Sequence, residues 1–114
     1  MSKRLRILHG EIKTPPMSLN ARRELGFFLR QLQEGESLGM PHSRPMPAIG
    51  RACHELRIND ENRTWRLFYY IEDEAIVVLE IGDKKTEKTL DRIIEICKRR
   101  LQSYENAKEK KRIE

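Results

Sequence analysis

The sequence predicts an α+β fold: a small, mainly antiparallel, twisted sheet packed against helices. Two observations predict it. Residues 53–60, 64–72 and 75–82 are rich in branched and aromatic side chains and are joined by short polar turns, as strands of a meander would be. Two flanking segments instead carry apolar residues at helical spacing: Ala21, Leu25, Phe28, Leu29 and Leu32, then Leu90, Ile93, Ile94, Cys97, Leu101 and Tyr104.

Residues 4–12, RLRILHGEI, open with basic and apolar residues in alternation and predict a first strand, which "TPP" at 14–16 ends. Ser18 is placed to cap a helix beginning near Leu19, and Gly35 to stop it. Residues 37–50, SLGMPHSRPMPAIG, hold three prolines and two glycines and predict a loop, with room for one short turn of helix. "CHELRIND" at 53–60 is the second strand. It sets His54, Leu56 and Ile58 on one face, and Glu55 and Arg57 on the other. "TWRLFYYIE" at 64–72 is the third. "AIVVLEIG" at 75–82 is the fourth, apolar enough on both faces to be central in the sheet. The last helix holds its stripe to Tyr104. Beyond it, "ENAKEKKRIE" predicts a fraying basic tail, so the domain is expected to span 1–104 and the tail 105–114. Both helix stripes are expected on one sheet face, leaving the other available.

The chain has 114 residues, enough for one domain with a modest core. Lys and Arg total 23 against 18 Asp and Glu, a net charge of +5, so anionic partners are expected: nucleic acid or acidic proteins. Neither Cys53 nor Cys97 belongs to a CxxC pair or a cluster with zinc spacing, so no metal or other cofactor is expected, and Cys97 reads as a small apolar core residue. The apolar run near the start is too short for a signal peptide, and "AIVVL" is too short to cross a membrane; a cytoplasmic protein without membrane contact is expected.

Arg66 is the anomaly. In the third strand Trp65, Leu67, Tyr69 and Ile71 form the core face, and Arg66 shares the other with Phe68 and Tyr70. An unpaired buried guanidinium is very unfavourable, so Arg66 must reach water, a carboxylate or an anionic ligand. A hairpin across 59–63 would bring Arg57 beside it, with either Glu55 or a phosphate between the two. Meander geometry also returns the end of the fourth strand, with Lys84 and Lys85 at the start of the last helix, to Arg66.

"HELRI" (54–58), "WRLFYYI" (65–71), "AIVVLEIGDKK" (75–85) and "EKTLDRIIEICKRRLQSY" (87–104) together resemble the RelE/ParE superfamily of bacterial toxins, most closely its HigB-like, phage-derived branch. The resemblance spans about residues 4–104. It implies a RelE-like fold and a toxin of a type II toxin–antitoxin module: a metal-independent endoribonuclease that cuts mRNA, in some members on the ribosome. It also implies a cognate antitoxin, commonly a small helix-turn-helix DNA-binding protein. The alternatives are a ParE-like inhibitor of gyrase or another host protein, and a phage-derived binding protein without nuclease activity. Arg66 matches the family's strand arginine and is expected to grip the scissile phosphate, with Arg57, Lys84 and Lys85 adding charge compensation. His54 is a candidate proton shuttle, set against a structural role facing the core, and Glu55 is a candidate base if Arg57 does not hold it. Tyr104 lies too late in the helix to match the family's tyrosine and leaves the acid unassigned. Arg44, Arg51, Lys98, Arg99 and Arg100 are expected on RNA backbone, or, for the helical three, on a solvated face. Phe68 is expected to stack on a base.

Overall fold

The computed structural model describes residues 2–8, 16–83 and 87–113. The chain runs β1 (Arg4–Ile7), α1 (Leu19–Gln33), β2 (Ser43–Pro45), β3 (Cys53–Asp60), β4 (Arg63–Ile71), β5 (Ala75–Gly82) and α2 (Glu87–Ile113). The five strands form one sheet in the order β1-β5-β4-β3-β2. β1 pairs parallel with β5, and the remaining pairs are antiparallel. The α+β class and the meander therefore stand as expected, and β5 lies inside the sheet.

The helix signals act as anticipated. Ser18 Oγ accepts a hydrogen bond from the Ala21 amide at 3.1 Å. At the other end Gly35 takes φ +90°, and the Glu36 amide bonds the Gln31 carbonyl at 3.0 Å, which closes the last turn. β2 is a finding: within the proline-rich segment, three residues pair with β3 at the sheet edge. Its position at the edge lets Pro45 be tolerated there. Ser43 Oγ, buried, shares a 2.6 Å hydrogen bond with Tyr69 Oη.

The layering corrects one expectation. The helices do not share a face. α1 buries Ala21, Phe28 and Leu32 against Leu56, Ile58, Trp65, Leu67, Tyr69, Ile76 and Val78. α2 buries Ile93 and Cys97 against Cys53, Phe68, Ala75, Val77 and Leu79 on the opposite face. The cause is β5: it is apolar at every position from Ala75 to Leu79, so both faces need cover. Burying each large side chain there contributes about 1.5–3 kcal/mol.

A bulge in β5 completes the fit. Val78 pairs with Tyr69 while Glu80, not Leu79, pairs with Phe68. The extra residue turns Glu80 toward α2. There Arg100 Nη1 meets Glu80 Oε2 at 3.3 Å and donates to the Leu79 carbonyl at 2.6 Å. Arg100 therefore ties α2 to the sheet instead of standing free on a charged helix face.

α2 continues to Ile113, past the predicted end of its ordered part at Tyr104. Its extra turns are held by Glu72, whose carboxylate accepts from Tyr104 Oη and pairs with Lys108. Among the described residues no helix is long and apolar enough to cross a membrane.

Candidate anion-binding site

Strand periodicity brings Glu55 and Arg57 of β3 to the sheet face they share with Arg66 and Phe68 of β4. Arg44 of β2 pairs with Glu55 and joins them. α2 covers the Phe68 end of this face, and the Arg66 end lies beyond the core cluster.

Glu55 is fully buried, and three guanidiniums converge on its carboxylate. Arg44 Nε donates to Oε1 at 2.9 Å and Arg57 Nε to the same oxygen at 3.1 Å. Arg66 Nη1 reaches Oε1 at 3.4 Å and Oε2 at 3.3 Å. Burial alone would push the Glu55 carboxyl up. The Arg57 hydrogen bond and the charges of Arg44, Arg66 and Arg57 outweigh it and hold the group below the ordinary carboxylate range. Glu55 is therefore an anion that organises the cluster, and it is held too firmly to serve as the base considered from the sequence.

Three positive charges against one negative leave an excess of two. Arg44 and Arg57 each engage Glu55 through Nε, so their terminal nitrogens remain as donors, and their side chains are 37% and 39% exposed. Arg66 is 16% exposed, and its buried Nε has no hydrogen-bond partner in the protein. The outward side of the cluster is thus a set of fixed guanidinium donors suited to an oxyanion, phosphate above all. Chemically it supplies charge compensation.

The other expected site residues are placed as follows. Arg66 also pairs with Gly82, so the end of β5 returns to it as the meander requires. Lys84 and Lys85, which follow, lie outside the described residues. His54 faces away from the arginines. It stacks on Tyr69 at 5.3 Å on the α1 side, and burial pushes its imidazole pKa down against a hydrogen bond with the Ala52 backbone. The sheet therefore separates His54 from the cluster, which excludes it as a proton shuttle there. Phe68 is fully buried between the sheet and α2, so it stacks on no base; the alternation that put it beside Arg66 also put it under the helix. Arg51 lies in the turn before β3, apart from the cluster. Lys98 and Arg99 are exposed on α2, Lys98 beside Glu95 at 3.7 Å. Among the described residues no group of His, Cys, Asp or Glu is arranged to hold a metal.

Arg44 is the member whose place the sequence did not reveal. Its role depends on β2, and a segment with prolines at 41, 45 and 47 carries no strand signal.

Fold and cluster together define a small α+β protein with a buried carboxylate that gathers arginines on one sheet face. Residues 15–102 match the family described as phage derived protein Gp49-like (DUF891), and the chain belongs to that family. No curated protein and no solved structure matches it.

Proposed function

We propose that this protein is the toxin of a type II toxin–antitoxin module, acting in the cytoplasm as a metal-independent endoribonuclease on mRNA. The supporting observation is the sharing of one buried carboxylate by Arg44, Arg57 and Arg66, which leaves a net positive, pre-organised donor set. Membership of a phage-derived family and the resemblance to HigB-like toxins give the direction.

In this reading the RNA 2′-hydroxyl oxygen attacks the adjacent phosphorus. The phosphorus–O5′ bond breaks, giving a 2′,3′-cyclic phosphate and a 5′-hydroxyl. Charge accumulates on the non-bridging oxygens in the transition state, and fixed guanidiniums stabilise it more than the ground state. Arg66 grips the phosphate, and Arg44 and Arg57 flank it. The 2′-hydroxyl proton and the proton for O5′ are handled by groups outside this cluster. The partner is a small antitoxin.

Induced expression in bacteria tests this. Growth arrest with loss of mRNA is expected, and Arg66→Ala is expected to abolish both while remaining folded. A folded Arg66→Ala protein of full toxicity overturns the assignment.

One observation favours a second reading, a ParE-like inhibitor of gyrase or another host protein. Leu19 and Phe27 of α1 are 62% and 56% exposed, an apolar helix surface of the kind a protein partner would cover. Arrest with DNA damage and intact mRNA is its signature.

A further inference from the structure

α1 has a second surface. Its inner stripe, Ala21, Phe28 and Leu32, is buried on the sheet. At 3.6 residues per turn the opposite stripe holds Leu19, Arg23, Gly26, Phe27 and Arg30, with Arg22 at its border. All six are exposed. Leu19 and Phe27 are large apolar side chains left in water on one side of one helix, about two turns apart.

Gly26 is the residue that the packing of the chain itself does not explain. A glycine inside an exposed helix weakens it relative to alanine. It is needed where the backbone takes a positive φ or where another group comes close. Gly26 has no positive φ, and a Cβ built on it would meet nothing within 4 Å among the described residues. The missing side chain therefore serves no neighbour in this chain. It leaves a notch in the outer face of α1, flanked by Arg22, Arg23, Phe27 and Arg30, at which a second backbone can approach.

The charges narrow the occupant. α1 carries three arginines and one acid, Glu24. Arg22, Arg23 and Arg30 form no ion pair among the described residues. A second copy docked through the same face would set arginines against arginines. A nucleic acid is held at the reach of arginine side chains and gains nothing from a notch at the helix backbone. A packed helix does gain from it, since axes separated by about 8–10 Å come closer over a small residue.

We propose that the outer face of α1 docks an acidic amphipathic helix of another protein. Its apolar stripe crosses α1 at Gly26, between Leu19 and Phe27, and its carboxylates meet Arg22, Arg23 and Arg30. This gives an occupant to the apolar α1 surface noted above and does not depend on RNA cleavage.

The probe is a fluorescein-labelled peptide of about 18 residues, long enough for several helical turns. It is built of leucine, alanine and glutamate, with the leucines on one stripe, and is held helical by a hydrocarbon staple. Anisotropy with the full chain is expected to give a Kd below about 1 mM that weakens with salt. The same peptide with lysine in place of glutamate is expected not to bind. Phe27→Ala and Gly26→Gln are each expected to raise Kd about tenfold, and the Arg22→Gln/Arg23→Gln double variant to flatten the salt dependence. Gly26→Ala is expected to raise the Tm of the free protein by about 2–6 °C, because alanine is the better helix former. Circular dichroism checks each fold, and should Gly26→Gln unfold, Phe27→Ala supplies the affinity measurement.

Failure of the acidic peptide to bind, equal binding of the lysine peptide, wild-type affinity in the variants, or a lower Tm in Gly26→Ala each overturns the docking face. Two other outcomes overturn it by reassignment. A single-stranded oligonucleotide whose binding Phe27→Ala weakens would give the face to nucleic acid. A dimer in sedimentation equilibrium that Phe27→Ala dissolves would give it to a second copy. Docking face and toxin fail separately: peptide binding without growth arrest on expression leaves the face and removes the toxin, and arrest with loss of mRNA but no peptide binding does the reverse.

Discussion

Arg57 and Arg66 stand directly opposite each other across β3 and β4, two like charges in register, and the Glu55 carboxylate bonds both. Facing like charges destabilise a strand pair. Glu55 reverses that effect and adds Arg44. Its replacement therefore does more than remove one hydrogen bond acceptor, because three guanidiniums are left to repel one another. Glu55→Gln is expected to lower unfolding free energy by about 3–5 kcal/mol, the range for breaking a buried ion pair. Arg44→Ala, at a half-exposed position with two arginines remaining on Glu55, is expected to cost about 1 kcal/mol or less. Urea denaturation of the two variants measures the contrast; equal effects would show that Glu55 does not organise the cluster.

Phe68 and Arg66 are neighbours on one strand face with opposite fates. Phe68 is fully buried under α2, and Phe68→Ala is expected to cost about 3–5 kcal/mol through the cavity it leaves. Arg66→Ala should lose RNA binding with a much smaller change in stability, because Arg44 and Arg57 still hold Glu55. Parallel denaturation and RNA-binding measurements separate the two roles. A stable Phe68→Ala protein that fails only in RNA binding would restore the stacking role.

This contrast shows what was legible in the sequence. Each meander strand and the core face of β4 could be read directly, because alternation of apolar and polar residues is enforced by burial on the α1 side. The second face could not. Arg66 and Phe68 alternate together, and only the path of α2 decides that one is covered and the other left at the rim. The turn of Glu80 toward Arg100 was equally hidden: it depends on one extra residue between Val78 and Glu80, and composition carries no sign of a bulge. The arginines of the "ELR" strand and β4 were legible as a pair. Arg44 was not, since proline-rich segments do not announce a strand.

Acid should unfold the protein through its carboxylates. Hydrogen bonds from Ser18, joined by Trp65 Nε1 at 3.2 Å, hold the Asp60 carboxyl below its ordinary range. Glu55 and Glu72 are also lowered, their cationic and hydrogen-bonding partners prevailing over burial. A group lowered on folding contributes stability that is complete above its unfolded pKa and disappears as pH falls through the folded value. The urea midpoint is therefore expected to be steady from about pH 7 to pH 5 and to drop below about pH 4.5, the unfolded carboxylate range. Trp65 is the one tryptophan in the chain and touches Asp60, so its emission reports this transition. Asp60→Asn should lessen the acid dependence; an unchanged pH profile would show that Asp60 makes no such contribution.

The two cysteines give a test of how tightly α2 closes on the sheet. Cys53 of β3 and Cys97 of α2 are both buried in the core of that face and neither is in a disulfide. Burial pushes the Cys53 thiol up to about 11 and the Cys97 thiol up to about 12, the latter helped by the Glu80 carboxylate. Thiolate is the reactive form, so at pH 8 both should be almost inert toward a disulfide reagent while the sheet and helix stay docked. Their modification rate then follows the opening of α2, and it should rise when the Arg100 tie is removed. Arg100→Ala is expected to speed labelling of Cys97 measurably at unchanged circular dichroism, since the guanidinium that joins Glu80 and the Leu79 carbonyl to the helix is gone. Rapid labelling of both thiols in the intact protein would mean that α2 is not held on the sheet as described, and the covered position of Phe68 would fall with it.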